Sequence, residues 1–277
     1  MALPQRNHLD HTELEGKRSH LYEIIASLES VAVAFQGGLT STYLLAVCRD
    51  ILGPANVLAV TTQSSVWSSS ELAEARARAV FIGVPVETIE TRELDNPAFV
   101  RNDRARCFYC KSELFASMQP LMQEWGLNSI VCEVIAEEDS GDYRLAMLAA
   151  QRYNVRAPLY EAQFTRDEIR NLARQRNLPI SNRAAGCCLA SRIPCGTPLT
   201  VEALDQVSLA EAFLRDELNL RHVRVRHHGN LAALEISQED VARVVQPSVR
   251  RWIINRMREC GFTHVTLDLV GLRQEHS

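Results

Sequence analysis

Short apolar runs alternate with segments of helical spacing through most of the chain, and this alternation constrains the fold more than any other feature. Val31 to Phe35 is an apolar run ending at Gly37-Gly38, after which Ser41 to Cys48 takes helix-like spacing. Asn56 to Thr62 reads as a second strand, and Ser68-Ser69-Ser70 supplies an N-cap for an Ala/Glu/Arg-rich helix through Ile82. Val84 to Ile89 returns as strand, Ser112 to Glu124 is helical, and Ser129 to Cys132 is a short buried strand. Thr165 with Glu168 forms a capping box that opens a helix to Arg176, which Asn177-Leu178-Pro179 stops. Strand and helix in this order predict an α/β domain whose parallel sheet is covered on both faces.

After about Pro198 the order changes. The pattern predicts a helix over Val201 to Arg215, strands over His222 to His227 and Leu231 to Ile236, a helix over Gln238 to Cys260, and a strand over Thr263 to Leu267. That order fits a smaller α+β domain with an antiparallel sheet. The 277 residues, 46% of them hydrophobic, are ample for two packed cores. We divide them into an extension over 1–20, helical or loose, an α/β domain over 21–197, and a smaller α+β domain over 198–277.

A formal charge of −4 gives no general electrostatic footprint for nucleic acid or an anionic membrane, so any bound anion must be held locally. Met1 to His20 is polar and charged, without a stretch resembling a signal peptide, and no apolar run approaches spanning length. The expectation is a cytoplasmic protein with reduced cysteines. Eight cysteines in that setting point to metal or sulfur chemistry rather than to a disulfide framework.

Two cysteine stretches carry the chemistry: Arg106-Cys107-Phe108-Tyr109-Cys110-Lys111-Ser112-Glu113, and Cys188-Leu189-Ala190-Ser191-Arg192-Ile193-Pro194-Cys195-Gly196-Thr197. A Cys-x-x-Cys pair puts two thiolates within reach of one metal, and a third from a distant loop can complete a three-cysteine cluster site. Buried core cysteines are the plainer reading of the same pair. The glycine turn Gly37-Gly38, followed by Ser41, is equally open. Amides at a helix N-terminus hold phosphate, yet two glycines between strand and helix also mark a tight connection.

Together with Phe35-Gln36-Gly37-Gly38-Leu39-Thr40-Ser41, these stretches resemble the sulfur-transferring branch of the PP-loop pyrophosphatases, and within it the LarE family, over nearly the whole chain. The resemblance implies a PP-loop, adenine nucleotide alpha hydrolase-like domain. It also implies ATP with Mg²⁺, and activation by adenylylation of a carboxylate on pyridinium-3,5-biscarboxylic acid mononucleotide. Sulfur then comes from Cys188 itself, left as dehydroalanine, or from a sulfide on a [4Fe-4S] cluster ligated by Cys107, Cys110 and Cys188. An acyl-adenylate is a good electrophile with a good leaving group, and a thiolate is a strong nucleophile. The retained Cys107/Cys110 pair favours the cluster class. Ser191 and Arg192 follow the sulfur cysteine, and Glu211 matches a family acidic residue near the same site. Arg224 and Arg226 match the family's Arg-x-Arg strand, where two same-face guanidiniums suit the phosphate of a mononucleotide. His227 and His228 read as structural or substrate-adjacent, because no ligand spacing accompanies them. Homo-oligomers are implied.

The chain departs from the family at its nucleotide residues. Gln36 stands for the serine and Thr40 for the aspartate of Ser-Gly-Gly-x-Asp-Ser, and Glu133-Val134-Ile135-Ala136 replaces the family's Asp-Gly-Ser/Thr-Asn before Gly141-Asp142-Tyr143-Arg144. A lost hydroxyl and carboxylate weaken pyrophosphate and Mg²⁺ handling. The alternative is a non-adenylating paralogue that acts as an iron–sulfur or nucleotide-binding or regulatory protein; a tRNA thiolase is disfavoured by the acidic balance. Cys187 and Cys195 read as tolerated substitutions, and Cys48, Cys132 and Cys260 as core.

Overall fold

The computed structural model describes residues 11–136, 141–179, 188–220 and 222–272. The first domain runs α1 (His11–Ala26), β1 (Val31–Ala34), α2 (Leu39–Leu52), β2 (Val57–Gln63), α3 (Ser69–Ile82), β3 (Val86–Glu90), α4 (Pro97–Val100), α5 (Arg106–Glu124), β4 (Ser129–Val131), α6 (Gly141–Arg152), α7 (Pro158–Glu161) and α8 (Arg166–Gln175). A 3₁₀ turn, Leu189–Arg192, leads to the second domain: α9 (Val201–Asp216), β5 (Val223–His228), β6 (Leu231–Ile236), α10 (Gln238–Val244), α11 (Pro247–Glu259) and β7 (His264–Leu267).

The first sheet is parallel, in the order β3-β2-β1-β4. Its period of two sorts β1 onto two faces. Val31, Val33 and Phe35 join the core built with α1, α2 and α8, while Ala32 and Ala34 face the core built with α5 and α6. The α/β class and the two-sided cover expected from the sequence are therefore found. Local signals hold as well. Ser68 and Glu71 close a capping box on α3, and Thr165 and Glu168 close another on α8. Helix α1 continues through position 20 and buries Leu21, Ile24 and Ile25 against the first core.

Three features of the structure differ from the expectation. Helix α5 begins at Arg106 rather than at Ser112, so the Cys-x-x-Cys pair lies on its first turn. The long helix expected after Gln238 is two helices, because Pro247 occupies the first turn of α11 and lacks the N–H that a continuous helix requires. The second sheet is mixed: β5 and β6 are antiparallel, but β7 runs parallel to β6. Two helices of crossover between β6 and β7 bring the chain back to its starting end, which a hairpin cannot do.

Candidate functional site

The strand order reverses at β1, with β2 and β3 added on one side and β4 on the other, and open α/β sheets bind ligands in the crevice at the carboxyl ends of the strands at such a point. The glycine turn forms one wall. Gly37 has φ of +71°, and a Cβ there would lie 2.9 Å from Arg78 Nη1 and 3.0 Å from Ala75 Cα, so only glycine fits. Arg78 Nη1 donates to the Gly37 carbonyl at 2.7 Å and locks the turn against α3. Gly38 caps α2 without a side-chain acceptor, which leaves the helix N-terminus available to an anion. The substituted Gln36 serves the fold, its Nε2 donating to Thr62 Oγ1 at 3.1 Å, and the retained Ser41 donates from Oγ to the Gly38 carbonyl at 3.2 Å.

Glu133 lies two residues past the end of β4, the neighbour of β1 in the sheet. Lys111 Nζ meets Glu133 Oε1 at 2.8 Å. Burial would lower the Lys111 pKa, but the facing carboxylate outweighs it and holds the ammonium above its ordinary value. Glu133 Oε2 and Ser112 Oγ are buried without a hydrogen-bond partner, the kind of atom that a bound polar group satisfies. The uncapped N-terminus of α2 suits an anion, whereas the Glu133 carboxylate repels one and suits a hydrogen-bond donor. Thr40 supplies no carboxylate for Mg²⁺.

Beside the crevice, at the ends of β2 and β3, lies a cleft of about 560 Å³ lined by Thr62, Ser64, Trp67, Thr91, Leu189 and Ser208 among others. Leu189, which lines it, follows Cys188 in the chain. The Cys188 turn rests on the apolar cluster that also carries Cys110. Burial pushes the Cys188 thiol up, opposed by the guanidiniums of Arg106 and Arg192. Cys110 is pushed well above the cysteine range, first by burial and then by Cys188, with Glu93 and Cys107 also near. The tertiary structure thus sets Cys110 beside Cys188 and near Cys107. Among the described residues, however, no three His, Cys, Asp or Glu side chains are gathered so as to hold a metal ion. The ligand set of a cluster is not assembled in this arrangement. Cys48 and Cys132 are buried and Cys195 is exposed; Cys187 lies outside the described residues.

The second domain grips the same turn. Glu211, fully buried on α9, accepts from Arg192 Nε at 2.8 Å, from Arg215, and from the Val225 amide at 3.1 Å. Ser191 Oγ accepts from Arg192 Nη1 at 2.8 Å. Arg226 spans Glu235 with Nε and Nη2 at 2.9 and 3.2 Å and reaches the Ser191 carbonyl with Nη1 at 2.8 Å. Arg224 is buried on the same strand face, opposite Glu235 in register. His227 is a structural residue: it bonds Gln206 at 2.8 Å and meets the Phe262 ring edge-on. Three partners escaped the sequence reading, namely Asn102, Arg106 as a charge beside the thiol, and Glu235. No local pattern marks them, because each acts through residues far away in the chain.

No protein-family model matches the chain. It is 36% identical over 258 residues to an uncharacterized protein of Synechocystis, covering 93% of this chain and 95% of that one. It is 32% identical over 261 residues to the pyridinium-3,5-bisthiocarboxylic acid mononucleotide synthase of Lactiplantibacillus plantarum, covering 94% of this chain and 93% of the synthase. No described helix is long and apolar enough to cross a membrane. With a parallel PP-loop-like sheet, a glycine turn at its reversal point and near-complete coverage of that synthase, the chain belongs to the LarE family.

Proposed function

We propose that the protein is an ATP-dependent sulfur transferase that converts a carboxylate of a pyridinium mononucleotide to a thiocarboxylate, with Cys188 as the sulfur donor. The observation that carries this reading is the placement of Cys188 between the α5 cysteine turn and the second domain, next in the chain to Leu189 of the cleft lining, with Arg106 and Arg192 beside its thiol. The nucleotide phosphates lie on the N-terminus of α2. Adenylylation joins the substrate carboxylate to AMP and releases pyrophosphate. The Cys188 thiolate then attacks the acyl carbon and AMP leaves with its oxygen. Loss of the Cα proton and cleavage of the Cβ–Sγ bond free the thiocarboxylate and leave dehydroalanine at position 188. The flanking guanidiniums offset part of the burial that holds Cys188 as a thiol, and they stabilise the thiolate once its proton is lost. Arg224 and Arg226 hold the substrate phosphate from the second domain.

Intact-mass measurement after incubation with ATP, Mg²⁺ and the dicarboxylate mononucleotide tests the reading. Wild type is expected to lose the mass of hydrogen sulfide at Cys188, while Cys188→Ala neither loses mass nor forms thiocarboxylate. Product formation by Cys188→Ala would overturn it. Bound iron with acid-labile sulfide and an unaltered Cys188 would instead favour a cluster-borne sulfur.

A further inference from the structure

Asn102, between α4 and α5, is fully buried and has φ of +52°, a conformation that asparagine tolerates better than most residues. Its side-chain amide donates to three carbonyls of one distant segment: Ile193 at 3.3 Å, Pro194 at 3.0 Å and Thr197 at 2.9 Å. Its own carbonyl accepts from the Gly196 amide at 2.8 Å. Its Oδ1 accepts from Arg106 Nη1 at 2.6 Å, and the same nitrogen donates to the Ala190 carbonyl at 3.2 Å. One buried side chain thereby ties the start of α5, which carries Cys107 and Cys110, to both ends of the segment that follows Cys188. Cys110 and Cys188 pack against one apolar cluster as neighbours. The segment over 193–197 has no helix or strand ladder of its own, so side-chain hydrogen bonds define its place.

We propose that Asn102, acting through Arg106, is a positioning residue for sulfur transfer: it sets the register between the α5 cysteine turn and the Cys188 turn. The function of that register rests on the reading of Cys188 as donor; the register itself does not. Asn102 touches neither thiol. Its effect is geometric, and a reacting atom displaced by about 1 Å can cost roughly a hundredfold in rate.

The test uses Asn102→Gly, which keeps the left-handed backbone accessible and deletes the amide, and Arg106→Met, which deletes the arm together with the charge beside the Cys188 thiol, so that in Arg106→Met the cross-link and not the rate reports the register. Each folded variant is treated, well below its unfolding midpoint, with a short dithiol cross-linker such as dibromobimane, and the bridged peptides are identified by mass. Wild type is expected to bridge Cys110 to Cys188. In both variants that bridge should fall to background while each thiol still reacts singly with a monofunctional reagent. Sulfur transfer by Asn102→Gly should slow by about a hundredfold at unchanged KM for the mononucleotide. A merely structural role lowers the unfolding midpoint and leaves the bridge intact in the folded protein; that outcome overturns the proposal. If Asn102→Gly does not fold, Arg106→Met decides alone. Failure of the donor reading shows separately, as product from Cys188→Ala, and leaves the cross-linking comparison unaffected.

Discussion

Arg226 donates from Nη1 to the main-chain carbonyl of Ser191 at 2.8 Å, so a strand of the second sheet holds the turn on which Cys188 stands. The rest of its guanidinium forks the two oxygens of Glu235. A lysine cannot span three acceptors in one plane. Arg226→Lys is therefore expected to lose roughly 1.5–3 kcal/mol of stability in chemical denaturation, in the range of charge-assisted hydrogen bonds. Since the fork is already engaged, the phosphate role proposed for Arg224 and Arg226 is read separately, by titrating the mononucleotide into Arg224→Ala and Arg226→Ala. About tenfold weaker binding is expected in each, and unchanged affinity in both folded variants would place the phosphate elsewhere.

Glu211 lies at the centre of the second contact between the domains. It holds Arg192 and Arg215 in a setting where Glu211 and Arg192 are both buried. Removing one partner of a buried pair strands the other charge, so Glu211→Gln is expected to destabilise the protein by about 3–5 kcal/mol in urea. A change below about 1 kcal/mol, the scale of an exposed pair, would show that solvent screens this network.

The glycine turn predicts a gain of function. Gln36 and Thr40 occupy the positions of a hydroxyl and a carboxylate, and Gln36 is engaged with Thr62 rather than facing a ligand. The double substitution Gln36→Ser with Thr40→Asp is expected to tighten ATP·Mg²⁺ binding by about tenfold, one charged interaction's worth, in calorimetry. Gly37→Ala should weaken stability by roughly 1–2 kcal/mol from the left-handed backbone alone. Arg78→Ala should not rescue it, because Ala75 Cα still stands 3.0 Å from the new methyl.

His227 gives a pH signature. The Gly229 amide donates to Nδ1 at 3.3 Å, so Nδ1 is bare and Nε2–H donates to Gln206 Oε1, an arrangement that only the neutral ring satisfies. Burial accordingly lowers its pKa below the ordinary 6.5. The unfolded chain then binds the proton more readily than the folded one. Stability should fall as pH drops from about 6.5 toward the lowered folded value. Thermal unfolding between about pH 5 and 8 should show that loss in wild type and a flatter profile in His227→Gln. Equal slopes would assign the titration to another group.

The sequence by itself determined the elements that depend on neighbours a few residues apart. Both capping boxes, at Ser68 with Glu71 and at Thr165 with Glu168, were legible because cap and partner are three residues apart. The two-faced apolar run of β1 announced a covered parallel sheet, and the cysteine and glycine stretches announced the family. Pro247 already carried the break between α10 and α11, since a helix interior cannot supply the bond it lacks. Only the tertiary structure decided that β7 runs parallel to β6, that Arg226 serves Glu235 and Ser191, and that Asn102 joins Arg106 to a segment some ninety residues away. Periodicity reports which face of an element is apolar. It does not report which buried carbonyl a side-chain amide will find, because that is settled when two packed elements leave those groups facing each other out of reach of water.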